Sequence, residues 1–276
     1  MTREKQEIFN VGVEEIEATV MFTDLKRFSS IAEILTATDT AALLNSYFLE
    51  STPLFVKTQV TLLKYIGDSV LAIWGEAGLS EDHAVLACRT AVSLVRMQET
   101  LHESPGGWLH TRIGVHTGPM IMGNLGSDRG VDYTAIGDTV NLASRLEGLN
   151  KIFGTLAIAS GETISQARGQ FIIRPLGCVR VVGRSESVEI YELLCEKGEK
   201  ARLSDEALTG FSAALESYAA GRLKEATNGF RETRELCGGE DGPSTFYLQS
   251  LASQRRATLR KDWDGVINLS EFRHGS

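Results

Sequence analysis

The order of apolar and polar residues predicts alternating strands and helices over roughly the first 195 residues. An unbroken apolar run at 16–22 predicts a buried strand that ends at Thr23-Asp24. Short apolar runs bounded by turn residues predict the other strands, at 61–66, 69–74, 109–118, 119–126, 129–136, 155–159, 171–174 and 188–194. Gly67-Asp68 and Gly118-Pro119 are the turn signals inside two of the expected strand pairs.

Apolar residues at helical spacing predict the helices between these strands. A short helix is expected after Asp24, and Asp39 is the expected N-cap of the next one. Ser80–His102 has the pattern of a long amphipathic helix, and Gly137-Asp138 begins another. Because strands and helices alternate with hairpins among them, we expect an α+β fold with helices covering one side of the sheet.

The character of the chain changes at Glu196. The charged segment 196–204 is expected to be a linker, and 205–276 is expected to be a helical appendage. Its spacing resembles one tetratricopeptide helix pair, one residue out of the usual register, at Phe211, Leu215, Tyr218, Gly221, Ala226 and Phe230. A solenoid needs about three such repeats to be stable. The pair is therefore expected to dock on the rest of the chain or support a dimer, or else to be the stump of a longer helical region.

Composition and charge narrow the class of protein. With 42% hydrophobic and 23% charged residues the sequence is typical of a soluble globular protein, and it has no apolar run of about 18 residues. The net charge of −8 argues against a nucleic-acid partner, which requires a basic surface. The four cysteines are scattered and form no CxxC pair, so we expect reduced thiols and a cytoplasmic location.

Two aspartates follow strongly apolar strands, and each is a candidate metal ligand. Asp24 ends the first strand, and Asp68 lies in the hairpin turn. Either residue alone is more often a turn former or a cap. If their strands are neighbours, the carboxylates converge, and such oxygen ligands suit Mg²⁺. Two ions can clamp the attacking and leaving oxygens of a phosphoryl transfer, and the N–H groups at 26–29 would face the phosphate.

The helix that begins at Gly137 carries a second polar pair. Asn141 and Arg145 are four residues apart and share one face, whereas three leucines take another face and are expected to pack inward. The pair can be a polar outer face, with Arg145 bound to Glu147 or to solvent. It can equally present an amide and a guanidinium to a reacting phosphoryl group. The spacing does not decide between these alternatives.

Four segments, taken in order, resemble the signature of class III nucleotidyl cyclases: FTDLKRFS, KYIGDSVLAIWG, GVHTGPMIMGNLG and DYTAIGDTVNLASRLE. The resemblance covers roughly residues 14–195, after a polar stretch at 1–13, and an ordered set is far more specific than one motif. It implies a ferredoxin-like βαββαβ sheet with covering helices. The sequence has no GxxxxGK[ST] phosphate loop, no GxGxxG after a strand and no HExxH motif.

The resemblance also implies a role for individual residues. Asp24 and Asp68 would hold two Mg²⁺ ions, or Mn²⁺ in their place, with help from the backbone carbonyl of Leu25. Asn141 would orient the ribose, and Arg145 would contact the α-phosphate in the transition state. The other substrate-binding positions that it implies are Lys64, Thr134, Phe28, Ser29 and Arg184.

The two implied base readers favour ATP. Lys64 can donate to adenine N1, and the Thr134 hydroxyl can accept from N6, whereas guanine presents a donor at N1 that an ammonium cannot accept. The resemblance therefore implies an adenylyl cyclase that forms 3′,5′-cyclic AMP and pyrophosphate. A guanylyl cyclase, an inactive cyclase-like binding module and another two-metal phosphoryl-transfer enzyme are the alternatives. The Lys/Thr pair also resembles the subclass that includes bicarbonate-responsive cyclases, which makes bicarbonate a candidate activator.

Two positions depart from the family pattern. Arg27 stands where the first motif normally has Gly, so a bulky cation could contact the phosphates or crowd them. A lysine expected near the triphosphate is replaced by Val182 or displaced to Arg184.

The family resemblance implies a shared site. In this family each site takes its metal ligands from one subunit and its base and transition-state residues from the other. Because this sequence carries the full set, a head-to-tail homodimer with two equivalent sites is expected, with 123–137 as the arm that crosses to the partner. Family members usually carry a sensor or membrane domain before the cyclase, which makes such a domain, absent from this sequence, a candidate partner.

Overall fold

The computed structural model describes residues 12–75, 82–101, 109–127, 130–180, 186–254 and 263–268. The described strands are β1 (Val13–Leu25), β2 (Leu62–Ile66), β3 (Ser69–Trp74), β4 (Thr111–Ser127), β5 (Gly130–Ile136), β6 (Ala157–Ser160), β7 (Phe171–Arg180), β8 (Val188–Glu196) and β9 (Ile267–Asn268). The described helices are α1 (Phe28–Ala32), α2 (Ala37–Lys57), α3 (His83–Leu101), α4 (Asp138–Phe153), α5 (Gly161–Gln166), α6 (Asp205–Ala219), α7 (Leu223–Leu236) and α8 (Gly242–Gln254).

The described strands form one mixed sheet in the order β2-β3-β1-β4-β6-β8-β7-β9, and β5 pairs with the far end of β4. Strand β1 lies between β3 and β4 and is antiparallel to both. The pairs β4–β6 and β7–β9 are parallel. The α+β prediction is confirmed. The convergence of Asp24 and Asp68 required their strands to be neighbours, and β1 and β3 are neighbours in the sheet.

Helices cover both faces of the sheet, so the expectation of one covered side was wrong. On one face Met21 of β1 packs in a cluster with Cys88 and Ala91 of α3. On the other face Val20, the next residue back along β1, packs in a cluster with Ala143 of α4. The reason lies in the unbroken apolar run of β1, because successive strand residues point to opposite faces and both faces then need cover.

Pro119 lies inside one long strand, where the sequence pattern had predicted a turn between two strands. Its carbonyl accepts a hydrogen bond from Thr139 Oγ1, on the side away from β1. The N and C=O of a strand residue point the same way, so the position that lacks an N–H also faces away from β1. On that side the pairing of β4 with β6 ends at Val115 and its pairing with β5 starts at Ile121, so the proline removes no ladder bond.

The helix termini show one further difference from the sequence prediction. The N-cap of α2 is Thr36, whose Oγ1 accepts from the backbone N–H of Asp39 at 3.1 Å and donates to the Asp39 carboxylate. Asp39 is thus the third residue of the helix, and both its backbone N–H and its carboxylate bind the Thr36 hydroxyl. The predicted start of the next helix, Ser80, lies outside the described residues, and α3 is described from His83.

Two other structural observations concern the whole described chain. The four cysteines are unpaired, as expected, and burial raises the pKa of the Cys88 thiol to about 12. In the part of the chain that the structure covers, no helix combines the length and the apolar character needed to cross a bilayer.

Candidate active site

Asp24 and Asp68 lie side by side at one end of the β1–β3 pair. Asp24 is the penultimate residue of β1, and Asp68 lies in the β2–β3 turn behind Gly67, whose φ of 64° suits glycine. Burial raises the pKa of Asp68 first, and repulsion from the Asp24 carboxylate raises it further, while a hydrogen bond from the backbone of Leu25 opposes the shift. Ser69 Oγ donates to Asp24 Oδ1 at 3.3 Å. The two carboxylates therefore share one partly buried site.

Arg112 is the cation that faces this pair, and the sequence reasoning did not single it out. It stands opposite Asp24 in the β1–β4 register and forms an ion pair with its carboxylate. Its Nε lies 3.2 Å from Oε1 of Glu147, a second ion pair without hydrogen-bond geometry. The side chains of Arg112 and Glu147 are only 17% and 15% exposed. The sequence did contain a signal for this residue, because Arg112 is a charged residue that begins the apolar run RIGV of a predicted strand.

Glu147 reaches this cluster because α4 packs directly on β4 at Gly114. A Cβ on Gly114 would lie under 3.0 Å from the backbone of Ala143 and Glu147, so only glycine allows this approach. The environment raises the pKa of Glu147 to about 7: burial acts most strongly, repulsion from Asp24 and Asp68 adds to it, and Arg112 opposes it.

The carboxylate pair fits divalent metal ions. Two carboxylates that repel each other in a partly buried site are stabilised by a cation, and their oxygen atoms are the ligands that Mg²⁺ and Mn²⁺ prefer. The described residues contain no group of three or more His, Cys, Asp or Glu side chains that could hold a metal ion. The remaining ligands would have to be backbone, water or substrate oxygens. The Leu25 carbonyl remains a predicted ligand.

Helix α1 offers less to a phosphate than the sequence pattern suggested. It has only five residues, Phe28–Ala32, and the N–H of Lys26 already donates to the carbonyl of His110 at 2.7 Å. Arg27 caps the helix in the left-handed conformation, with φ 62° and ψ 17°. This explains why the family motif has glycine there, because glycine adopts that conformation without a steric penalty. Of the two predicted phosphate-side residues, Phe28 is half-buried and Ser29 is exposed.

The predicted base readers lie on β2 and β5, and an ion pair connects these strands. Lys64 of β2 is 22% exposed at its side chain and forms an ion pair with Asp132 of β5. Thr134 is two residues farther along β5, so it lies on the same face as Asp132. The structure thus brings Lys64 to the strand face that carries Thr134. The sequence analysis did not identify Asp132. It could have done so, because residues two apart on a strand lie on the same face, which places Asp132 beside the predicted base reader Thr134.

Asn141 and Arg145 share one side of α4, as their four-residue spacing predicted. The expected separation from the leucines is incomplete, because Arg145 is three residues after Leu142 and four before Leu149 and therefore borders the buried side. Asn141 is exposed. Arg145 is half-buried, and its Nη1 is buried without a hydrogen-bond partner among the described residues. Glu147 is bound to Arg112, so the pairing of Arg145 with Glu147 is not what the structure contains. Val182 and Arg184 lie outside the described residues.

Two apolar surfaces remain exposed on the described chain. One is a groove of about 1010 Å³ between α2 and β2, lined by Asn45, Phe48, Leu49, Thr52, Pro53, Val56 and Tyr65. The other consists of exposed side chains on the β4–β5 ribbon, with Val131 and Tyr133 on one face and Ile121 and Ile136 on the opposite face. Exposed apolar areas of this kind usually mark surfaces that another protein chain covers.

Comparison with known proteins adds the family context. The family model described as the adenylate and guanylate cyclase catalytic domain matches residues 13–194. Adenylate cyclase 1 of Rhizobium meliloti is 37% identical over 182 residues, which are 64% of this chain and 27% of that protein. The soluble guanylate cyclase gcy-34 of Caenorhabditis elegans is 31% identical over 186 residues, 65% of this chain and 26% of that protein. The chain therefore spans about a quarter of the length of these two relatives.

A solved structure resembles about two thirds of the chain. The adenylyl cyclase CyaB from P. aeruginosa aligns with a TM-score of 0.59 at 28% identity, covering 68% of this chain and 99% of that one.

Proposed function

The chain belongs to the family of adenylate and guanylate cyclase catalytic domains, and from that premise we propose that it converts ATP to 3′,5′-cyclic AMP and pyrophosphate. In this reaction the ribose 3′-oxygen forms a bond to the α-phosphorus, and the bond from that phosphorus to the pyrophosphate breaks. The observation that carries the choice of ATP is the contact of Lys64 with the β5 face that bears Thr134.

Asp24 and Asp68 are proposed to hold two Mg²⁺ ions, or Mn²⁺ in their place. When bound, such ions lower the pKa of an attacking hydroxyl and stabilise the charge on the leaving phosphate. The chain itself contributes Asp24 at the end of β1 and Asp68 in the β2–β3 turn. Ser69 Oγ donates to Asp24, and the backbone of Leu25 donates to Asp68, so these bonds orient the two carboxylates.

Arg112 is proposed to supply fixed positive charge next to the phosphates. The chain has a net charge of −8, so its overall field repels a nucleoside triphosphate and local cations must offset that repulsion. If Asp24 held metal ions, Arg112 would share that carboxylate with them and would still be held by Glu147. A guanidinium anchored from one side keeps donors for phosphate oxygens.

The base pocket is proposed to read adenine with Lys64 and Thr134. An ammonium can donate to adenine N1, and a hydroxyl can accept from N6. Asp132 holds the ammonium against β5, which restricts the directions in which Lys64 can donate. Guanine carries a donor at N1 and is therefore disfavoured, although relatives of this chain include guanylate cyclases. The same Lys/Thr pair is the basis for proposing bicarbonate as an activator.

The active enzyme is proposed to be a homodimer with shared sites. No hydrogen bond or ion pair joins Asn141 or Arg145 to the two aspartates among the described residues, and Arg145 Nη1 is buried without a partner. A partner subunit would bring its metal carboxylates to this arginine. The apolar groove at α2–β2 and the apolar ribbon of β4–β5 are separate surfaces that a two-fold axis can cover together.

The direct test is an assay of purified protein with ATP or GTP, in Mg²⁺ or Mn²⁺, with the cyclic product identified by mass spectrometry. We expect cyclic AMP from ATP as the main product and almost no cyclic GMP from GTP. Lys64→Gln should lower kcat/KM for ATP much more than Lys57→Gln, the matched change of an exposed lysine on α2. Cyclic GMP as the main product, or equal effects of the two substitutions, would contradict the proposal.

A further inference from the structure

The C-terminal helices α6, α7 and α8 lie beyond the region that the family model matches, which ends at residue 194. They share one hydrophobic cluster with α4, the helix that carries Asn141 and Arg145. The members from α4 are Leu142, Leu146, Leu149 and Phe153, and those from the C-terminal helices include Phe211, Tyr218, Phe230, Phe246, Tyr247 and Leu251. The proposed catalytic helix is therefore packed on a segment to which the family match assigns nothing.

The closest approach joins the C-terminal end of α4 to the N-terminal end of α8. A Cβ on Gly242 would lie under 3.0 Å from both the carbonyl oxygen of Phe153 and the Cα of Gly154. Gly154 ends α4 in the left-handed conformation, with φ 69°. The two helices thus touch through their backbones, and a shift of α8 cannot be absorbed by a side chain at this point.

Aromatic rings extend this contact. The rings of Phe153 and Phe246 have centroids 4.6 Å apart, and Phe153 also meets Tyr247 at 6.5 Å. Tyr247 is fully buried, and its hydroxyl donates to the carbonyl of Leu176 in β7 at 2.6 Å. Helix α8 is therefore fixed to the sheet as well as to α4.

A buried ion network holds the start of α8 in place. Arg174 of β7 is fully buried, and its Nη1 donates to Asp241 at 2.7 Å and its Nε to Glu192 at 2.8 Å. Asp241 in turn accepts from the backbone N–H of Ser244 in the first turn of α8 at 3.0 Å. These bonds tie the first turn of α8 to strand β7 and, through Glu192, to β8.

We infer that α8 positions the catalytic helix, and that Gly242 and Phe246 are positioning residues for Arg145. The inference rests on the proposed function, because it assigns to α8 control over the turnover of that same site. Arg145 lies between Leu142 and Leu146, whose side chains are buried in the shared cluster, so a displacement of α4 moves its guanidinium directly. A misplacement of about 1 Å can lower turnover by about 10²-fold.

A matched pair of glycine substitutions tests this inference in the whole 276-residue chain. Gly242→Ala strains the α8–α4 contact, whereas Gly229→Ala strains the α7–α6 contact, where the new Cβ would lie 2.8 Å from Cβ of Ala214. We expect Gly242→Ala to lower kcat by about 10-fold or more with KM for ATP within about twofold of wild type. Gly229→Ala should lower the melting temperature by a comparable amount and leave kcat within about twofold. Phe246→Leu provides a milder change of the same contact if Gly242→Ala does not fold.

Amide hydrogen exchange of residues 138–153 provides a readout that does not depend on activity. Exchange there should be faster in Gly242→Ala, or in Phe246→Leu, than in Gly229→Ala. Equal kcat and equal exchange in the two alanine variants would overturn the inference and leave the proposed function intact. If the wild-type protein makes no cyclic nucleotide, the proposed function is wrong, and so is the claim that α8 controls its turnover. Amide hydrogen exchange of residues 138–153 would then still show whether α8 holds α4 in place.

Discussion

Replacing Glu147 with glutamine removes a buried negative charge next to the proposed metal site while keeping the shape of the side chain. In the metal-free protein this carboxyl has its pKa raised from 4.5 to about 7, mainly because of burial and then because of repulsion from Asp24. Arg112 lowers it only in part. The substitution therefore changes a group whose ionisation works against the folded state.

The sign of the effect follows from proton binding. Between pH 4.5 and about 7 the folded protein holds a proton on Glu147 that the unfolded chain has lost, so the free energy of unfolding falls as the pH rises through this window. A shift of this size corresponds to about 3 kcal/mol as an upper limit. Glutamine mimics the protonated acid, so Glu147→Gln should match wild type near pH 4.5 and be more stable by up to about 3 kcal/mol above pH 8.

The assay is denaturant unfolding of wild type and Glu147→Gln in the presence of EDTA, from pH 4.5 to 8.5. The quantity to plot is the difference in the free energy of unfolding, because other titrating groups then cancel. Glu216→Gln is the matched control, because it makes the same change at an exposed position on α6, outside this cluster. A flat difference for Glu147→Gln would refute the account of this cluster, and so would greater stability of wild type at high pH.

Four further substitutions test the roles of single side chains. Asp24→Ala and Asp68→Ala should each abolish turnover while changing the free energy of unfolding by only about 1 kcal/mol. Cyclase activity retained in either folded variant would exclude the two-metal assignment. Arg145→Ala should lower kcat by about 10²–10³-fold with a smaller change in KM, and an effect on KM alone would limit this residue to ground-state binding. Arg174→Ala should destabilise the protein by about 3–5 kcal/mol in denaturant unfolding, because it removes the buried cation that pairs with Asp241 and leaves Glu192 with Arg202 alone; a loss below about 1 kcal/mol would argue against a structural role for the ion network.

Local patterns along the sequence were sufficient for the strands around the carboxylate pair. Asp68 lies in the turn that Gly67 marks, and Asp24 ends an apolar run, so their convergence required only that β1 and β3 be neighbours. The shared side of Asn141 and Arg145 on α4 could be predicted in the same way, because residues four apart are neighbours on a helix.

Features that depend on tertiary contacts could not be predicted from local patterns. Arg112 meets Asp24 only through the β1–β4 register, and Glu147 joins them because Gly114 lets α4 approach β4. The sequence pattern did not predict one strand continuing through Pro119. A strand tolerates a proline only where no partner strand needs its N–H, and that depends on where β5 and β6 stop pairing with β4. The left-handed conformation of Arg27 is likewise a property of the folded turn.

The most direct test of the central claim is complementation between two inactive variants, because a shared site requires residues from two chains. Asp24→Ala and Arg145→Ala proteins are assayed separately, mixed under conditions that allow subunit exchange, and assayed again for cyclic AMP. About half of the dimers should then be mixed, each with one intact site of two, so activity should recover toward about a quarter of the wild-type value. No recovery after demonstrated exchange would contradict the shared site, as would full specific activity of a monomer at high dilution.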